Sequence, residues 1–360
     1  LVTLLSEFLH RSCFPEDIRS LVRSFREEEI TVINFAILGA GRIGNVHAQA
    51  IQATPEAELI AVAEPFEKRA KSIQREFGCD IRSSDQISRS DIIDAVIICT
   101  PTNTHADLIE KFAKAGKAIF CEKPIDLNIA RVRKCLDTVQ KCNVKFMVGF
   151  NRRFDPDFMA LKSTIDNGQI GDVEMITITS RDPIAPSYEY ITHSGGIFRD
   201  MTIHDFDMAR WLLNEEVESI QATASVLTDP KIAELNDYDS VSIILGTKSG
   251  RQCVISNSRR ATYGYDQRIE VLGSNGMAQV KNKNNANIEV ACSKGFNSPP
   301  LLDFFITRYH ASYSNEIAAF VETISQNTHP PTSGIDGLKA LILADAALLS
   351  VQTGKAIKIS

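Results

Sequence analysis

Val32-Ile33-Asn34-Phe35-Ala36-Ile37-Leu38-Gly39-Ala40-Gly41-Arg42-Ile43-Gly44 is the stretch on which the fold turns. Its first seven residues are mostly apolar and read as a strand. The glycines that follow match G-x-G-x-x-G, and Gly44 to Ala53 carries no proline and many helix formers. Alone, the hexapeptide is weak evidence, because glycine-rich turns occur in many loops. A strand before it and a helix after it make it a dinucleotide fingerprint. In that setting Gly39 permits the tight turn, Gly41 admits a pyrophosphate and Gly44 lets helix and strand pack closely, with the phosphates at the helix N-terminus. Arg42 and Ile43 complete the loop and join the glycines as candidate cofactor contacts. A plain glycine turn is the competing reading.

Working outward, Glu58 to Ala63 is a second apolar run, and Glu64 ends it where an acidic side chain accepts hydrogen bonds from adenosine ribose hydroxyls. A 2′-phosphate there would meet like charge, which favours NAD, although Lys68 and Arg69 lie close enough in sequence to keep NADP open. An ordinary strand-end carboxylate is the other reading of Glu64. Helical and apolar segments then alternate: Phe66 to Phe77, Ala95 to Cys99, Ala106 to Ala115, Lys117 to Cys121, Leu127 to Lys141 and Lys145 to Phe150. Such alternation predicts an α/β, doubly wound parallel sheet of the Rossmann type, its strands apolar on both faces.

After Asn151 the pattern changes. One helix precedes strands with period-two alternation at Val173 to Ser180, Ile220 to Leu227, Val241 to Leu245, Gln252 to Ser256 and Arg268 to Leu272. Lys248-Ser249-Gly250-Arg251 and Ser274-Asn275-Gly276 read as hairpin turns, so this sheet is expected to be large, open and mainly antiparallel. Helices near Asp303 to Ser325 and Gly334 to Thr353 should cover one face, making this half α+β. The expected division is an unassigned extension over 1–30, a cofactor domain over 31–150 and a substrate and oligomerisation domain over 151–360.

Bulk properties agree with two domains, since 360 residues at roughly 100 to 200 per domain suggest that number. A net charge of −6, with 39 basic against 45 acidic residues, argues against a nucleic-acid partner. The eight cysteines include no C-x-x-C pair and read as reduced thiols, which suits a cytoplasmic location and not a zinc site. The longest apolar run, Leu341 to Leu349, is interrupted by Asp345 and is too short to span a bilayer. Glu7, Asp17 and Glu27 to Glu29 fall where a targeting peptide avoids acid.

Ligands of open α/β sheets lie beyond the carboxyl ends of the strands. Two segments stand there. Thr100-Pro101-Thr102-Asn103-Thr104-His105 offers Thr100, Pro101, Asn103 and His105 as cofactor contacts, and Glu122-Lys123-Pro124 offers Glu122 and Lys123. Proline after Lys123 biases the lysine away from helical geometry, where it could stabilise an alkoxide; a solvated turn lysine fits the spacing equally well. Further on, Asp200 and His204 stand four apart in Gly195 to Asp207 and would share a helix face. They also fit a helix cap and a plain core or surface histidine.

Ile37 to Gly44, Cys121-Glu122-Lys123-Pro124, Gly149-Phe150-Asn151-Arg152-Arg153-Phe154-Asp155 and Asp200-Met201-Thr202-Ile203-His204-Asp205-Phe206-Asp207 together resemble the glucose-fructose oxidoreductase, inositol dehydrogenase and MocA family, from about Ile33 to the C-terminus. The resemblance implies a catalytic triad of Lys123, Asp200 and His204, and substrate contacts at Arg152, Asp182 and a tyrosine of Tyr263-Gly264-Tyr265-Asp266. Glu64 stands where aspartate is commoner in the family, and residues 1–30 have no counterpart. The 200–207 segment is closest to the inositol-oxidising members, which implies myo-inositol as substrate, NAD as cofactor, no metal and a homotetramer built through the open sheet face. On this reading His204, with a pKa near 6.5, takes the hydroxyl proton, so oxidation quickens as pH rises through neutrality. Asp200 orients the imidazole and Lys123 supports the developing alkoxide. Another inositol isomer or an aldose is the competing substrate, and a non-catalytic dinucleotide-binding sensor is the competing class.

Overall fold

A computed structural model describes residues 32–359; the expectation for residues 1–30 lies outside the described residues. The first sheet consists of β1 (Ile33–Leu38), β2 (Ala57–Ala63), β3 (Asp80–Ile81), β4 (Ala95–Ile98), β5 (Ala118–Glu122) and β6 (Phe146–Gly149). All its pairings are parallel, and its order is β3-β2-β1-β4-β5-β6. The order reverses between β1 and β4, which opens a crevice at their carboxyl ends. β4 is buried along its whole length, as an apolar strand covered by helices on both faces must be.

Local chemistry sets the helix ends. Helix α1 (Arg42–Gln52) starts at Gly41 with no side-chain cap and no acidic residue in its first turn, so its leading N–H groups stay free for an anion. Its successors are α2 (Glu67–Phe77), α3 (Ser84–Ser88), α4 (His105–Lys114) and α5 (Ile129–Cys142). Asn128 caps α5 through Arg131 N–H, and Asn143 closes it at φ 50°.

Beyond β6, Asp155 caps α6 (Pro156–Asp166), which has proline at its first turn. There follow β7 (Val173–Arg181), α7 (Tyr188–Ser194), α8 (Ile197–Asp200), α9 (Thr202–Leu213), β8 (Val217–Ser225), α10 (Lys231–Glu234), β9 (Ser240–Thr247), β10 (Gln252–Ser258), β11 (Asp266–Gly273) and β12 (Gly276–Val280). The second sheet runs β12-β11-β7-β10-β9-β8-β15, where β15 is Ile357–Lys358. Both expected hairpins form, β9 with β10 and β11 with β12. One pairing departs from the antiparallel rule: β7 lies parallel to β10. It is inserted between strands distant from it in sequence, so no local turn reports it. The small hairpin of β13 (Val290–Cys292) and β14 (Gly295–Asn297) lies outside both sheets.

Three helices complete the chain, α11 (Phe305–Arg308), α12 (His310–Ser325) and α13 (Gly334–Thr353). Ser333 and Asp336 form a capping box at the start of α13, and Gly354 ends it at φ 65°. The segment before α13 returns to the first sheet, where Val148 N–H donates to Thr332 O at 3.0 Å and the Thr332 hydroxyl to Val148 O at 2.7 Å. A Cβ on Gly337 would stand 2.7 Å from Ile125 Cδ1, so α13 seats directly on the loop that follows β5. The two sheets therefore share a continuous buried core.

Candidate active site

The glycine loop is shaped for a dinucleotide. Gly39 has φ +97°, and a Cβ on it would stand 2.8 Å from Cys99 O, so the turn after β1 lies against the end of β4. A Cβ on Gly44 would lie 2.1 Å from Gly39 O. At Gly41 a Cβ would meet nothing within 4 Å, leaving room in front of the free N–H groups of α1 for a pyrophosphate. Asn45 Nδ2 donates to Gly41 O at 2.8 Å and steadies the loop. Glu64 accepts from Ala40 N–H at 2.7 Å and from Phe66 N–H at 2.9 Å, which holds its carboxylate beside the loop where a ribose would bind. These features fit NAD. Arg42 is exposed and lies over the Phe304 ring at 5.3 Å.

The loop after β4 has a different internal logic. Pro101 and Asn103 are exposed and Thr100 is half-buried, so all three can face a cofactor. His105 is 1% exposed, and its two ring nitrogens lie 2.8 Å from Pro124 O and 2.7 Å from Thr100 O. Burial lowers its pKa against the pull of those carbonyls. It is sealed between the two loops and joins them; the expectation that it contacts the cofactor is corrected to that. Glu122 turns inward in the same way, its carboxylate 2.7 Å from Nε2 of the fully buried His47.

Lys123, joined to Pro124 by a cis peptide bond, reaches across to the second half of the chain. Its Nζ donates to Asp200 O at 2.7 Å and to Asp200 Oδ1 at 3.3 Å. Asp200 Oδ1 also accepts from the Tyr190 hydroxyl at 2.9 Å, and Oδ2 lies 3.7 Å from Arg259 Nη2. Asp200 and His204 share no hydrogen bond among the described residues, contrary to the orienting role expected for the aspartate. The physical reason is a helix break: Asp200 ends α8, whereas α9 begins only at Thr202, so the four-residue spacing does not run along one helix.

His204 stands beside Phe150, edge to face with centroids 6.1 Å apart. Its Nδ1 is buried without a partner among the described residues. Burial first, then the charges of Lys123 and Arg152, hold its pKa well below 6.5. The imidazole is therefore neutral throughout the physiological range, and the expected acceleration through neutrality is corrected: a limb due to His204 belongs at lower pH.

Arg152 is buried, with Nη1 donating to Asp205 Oδ1 at 2.5 Å and to Ser180 Oγ at 3.0 Å. Asp205 Oδ2 accepts from Asn257 Nδ2 at 2.8 Å, and Thr202 Oγ1 donates to Asn257 Oδ1 at 2.7 Å. This network pins the first turn of α9, which carries His204. Asp182 faces the same group: burial pushes its pKa up to about 7, with Arg152 and Arg259 opposing and Asp200 and Asp205 assisting. Tyr265 is buried and packs edge to face on Tyr309 at 6.1 Å, and it senses Arg152, Asp182 and Asp205. Tyr263 does not join them. Its hydroxyl donates to Asp266 Oδ2 at 2.6 Å and accepts from Arg181 Nη1 at 2.9 Å, and it lines a recess with Ser242, Ser256 and Ser258 on the outer sheet face. Of the two tyrosines expected near substrate, Tyr265 lies with Arg152 and Asp182, and Tyr263 lies apart from them.

Residues 33–150 match the family described as "Oxidoreductase family, NAD-binding Rossmann fold", and residues 158–279 match the "GFO/IDH/MocA C-terminal domain". The chain is 58% identical over 328 residues to an inositol 2-dehydrogenase of Rhizobium meliloti (strain 1021), covering 91% of this chain and 99% of that one. It is 41% identical over 329 residues to a myo-inositol 2-dehydrogenase of Thermotoga maritima, covering 91% and 98%. Among solved structures, a scyllo-inositol dehydrogenase from Lactobacillus casei with bound NAD(H) and scyllo-inositol superposes with a TM-score of 0.85 at 28% identity, covering 91% and 99%.

Proposed function

The chain belongs to the Gfo/Idh/MocA oxidoreductase family, and we infer from its site how it acts: it oxidises myo-inositol to 2-keto-myo-inositol with NAD. The free N–H groups that open α1, the open space at Gly41 and the Glu64 carboxylate would hold NAD, which would supply the hydride acceptor for the carbinol carbon. The chain supplies the remaining chemistry. His204, neutral and poor in hydrogen-bond partners, takes the hydroxyl proton. Lys123 commits two of its three N–H bonds to Asp200 and keeps one for the developing alkoxide. Asp200 anchors that ammonium. Asp182, Arg152 and Tyr265 are the groups assigned to the other hydroxyls.

The observation that carries this reading is the reach of Lys123 from the end of a first-sheet strand to Asp200 of the second half. A dinucleotide-binding sensor gains nothing from such a junction of lysine, carboxylate and neutral imidazole. We read 31–150 as the cofactor domain and 151–360 as the substrate and oligomerisation domain. The outer face of the second sheet exposes Met175, Ile244 and Leu272, which supports a homotetramer assembled through it. Free and mostly buried cysteines support a reducing, cytoplasmic location; among the described residues no helix is long and apolar enough to cross a membrane. The test is NADH formation at 340 nm with NAD and a panel of myo-inositol, scyllo-inositol and glucose. Turnover of myo-inositol is expected, and silence across the panel refutes the assignment.

A further inference from the structure

We propose that the buried pair Asp237–Arg259, aided by Tyr190, is a clamp that positions Asp200 and, through it, the Lys123 ammonium. The proposal rests on the reading of this site as an inositol-oxidising one.

Arg259 follows β10 and its side chain is 1% exposed; Asp237 is 7% exposed. Nη1 of Arg259 donates to Asp237 Oδ2 at 2.9 Å. The other oxygen of Asp237 accepts from Ile197 N–H at 2.9 Å, and Ile197 opens the four-residue helix α8 whose last residue is Asp200. Nη2 of Arg259 has no hydrogen-bond partner among the described residues and stands 3.7 Å from Asp200 Oδ2. One ion pair thus touches both ends of the turn that carries Asp200.

The turn is closed tightly on this pair. Gly196 has φ +85°, and a Cβ there would stand 2.8 Å from Asp237 Oδ1. On the solvent side the Tyr190 hydroxyl donates to the same Asp200 oxygen that receives Lys123. The carboxylate is therefore divided, with Oδ1 for Lys123 and Tyr190 and Oδ2 for Arg259. A guanidinium can face two carboxylates at once with its planar fork, whereas a lysine offers a single point charge. Burying an arginine is expensive and stabilises little by itself, so its placement here is explained by what it orients.

Arg259 and Tyr190 are accordingly positioning residues. The test uses the full-length chain with Arg259→Lys and Tyr190→Phe beside wild type. Steady-state oxidation of myo-inositol is measured together with the rate at which an amine-acylating reagent modifies Lys123, followed by mass spectrometry. For Arg259→Lys, kcat and kcat/KM are expected to fall together by about tenfold to a hundredfold, as for a misplaced group that acts in the transition state. KM should hardly move, and Lys123 should be acylated severalfold faster. A role confined to stability would lower the melting temperature without changing kcat per active site or Lys123 labelling. Wild-type kcat and labelling in a folded Arg259→Lys enzyme overturn the clamp. Should that variant not fold, Tyr190→Phe decides, because Tyr190 is 50% exposed and its loss spares the core: slower turnover with faster labelling supports the clamp, and unchanged values overturn it. The labelling does not depend on turnover, so a wild type silent on inositol but with faster Lys123 labelling in the variants would remove the substrate reading and leave the clamp standing.

Discussion

Replacing Asp182 by asparagine should remove a pH dependence of stability that wild type carries. The carboxyl is pushed from 3.8 up to about 7, chiefly by burial, with Asp200 and Asp205 adding to the effect and Arg152 and Arg259 reducing it. In the unfolded chain it titrates near 3.9. The folded state therefore holds the proton more tightly, so the stability contributed is complete below pH 4 and is lost as pH rises through 7. From pH 5 to pH 8 about two units of titration lie below the folded pKa. At about 1.36 kcal/mol per unit this makes roughly 2.7 kcal/mol, and partial solvent access reduces it to on the order of 2 kcal/mol.

Asparagine keeps the shape and cannot ionise. At about 2.1 cal/mol/K of unfolding entropy per residue, 1 kcal/mol corresponds to about 1.3 °C of melting temperature for a protein of this size, so wild type should lose about 3 °C more than Asp182→Asn between pH 5 and pH 8. The assay is a pair of melting curves for each protein, read as a double difference in which the other titrating groups largely cancel. Parallel pH profiles for the two proteins would refute the burial argument. The same change of charge should appear in substrate binding, since a neutral carboxyl can donate to a polyol hydroxyl and a carboxylate only accepts. KM for myo-inositol should vary with pH across neutrality in wild type and not in the variant.

Gly41→Ala should melt like wild type yet bind NAD at least about tenfold more weakly, a loss near 1.4 kcal/mol, because its Cβ clashes with nothing in the protein and fills the phosphate space. Gly44→Ala should lose stability and NAD binding together, by about 1–3 kcal/mol in the first case; calorimetric melting and NAD titration separate the two, and a destabilised Gly41→Ala counts against the loop assignment. His204→Ala should lower kcat by at least about a hundredfold. In Asp182→Asn, where that carboxyl no longer titrates, kcat/KM should stay flat from pH 8 down past 6.5, and an acid limb at 6.5 or above in this variant contradicts the depressed pKa. Glu64→Gln should narrow the ratio of NAD to NADP turnover, because a charge-assisted ribose bond of about 1.5–3 kcal/mol is weakened and the repulsion of a 2′-phosphate is lifted; an unchanged ratio removes Glu64 from cofactor selection.

The nucleotide-binding half was readable because its physics is local. Parallel strands covered on both faces must be apolar, and the four expected from β1 through β5 end within a residue or two of β1, β2, β4 and β5. Helix α13 matches its expected limits because a capping box and a left-handed glycine bound it. Pairings between distant strands were not readable. Neither the insertion of β7 between β10 and β11 nor the short edge strand β3 leaves a periodic trace. The Asp200–His204 spacing misled for a related reason, since it assumes one helix where the chain makes two. Arg259 was within reach: the alternation that buries Cys253, Ile255 and Asn257 in β10 places residue 259 on the same inner side. A charged residue in that parity is a signal in itself.

Three buried ion pairs support this junction: Arg152 with Asp205, Arg153 with Asp207, and Arg259 with Asp237. Each removes charge from water at a cost that its attraction does little more than offset, so stability does not account for their concentration here. Direction does. Arg152 ties the segment after β6 to the first turn of α9. Arg153, forked onto both oxygens of Asp207 and reaching Asp336, adds the start of α13 to that tie. Arg259 closes the turn before α9. His204 and Asp200 are thereby fixed from both sides of Met201, while Lys123 comes from the other sheet and meets Asp200 alone among the described residues. The precision of the site thus depends on ionic contacts inside the second half and on one lysine contact between the halves. Damage to the inner pairs should misplace the carboxylate and imidazole together, whereas loss of Lys123 should leave both in place and remove only the group proposed to meet the alkoxide.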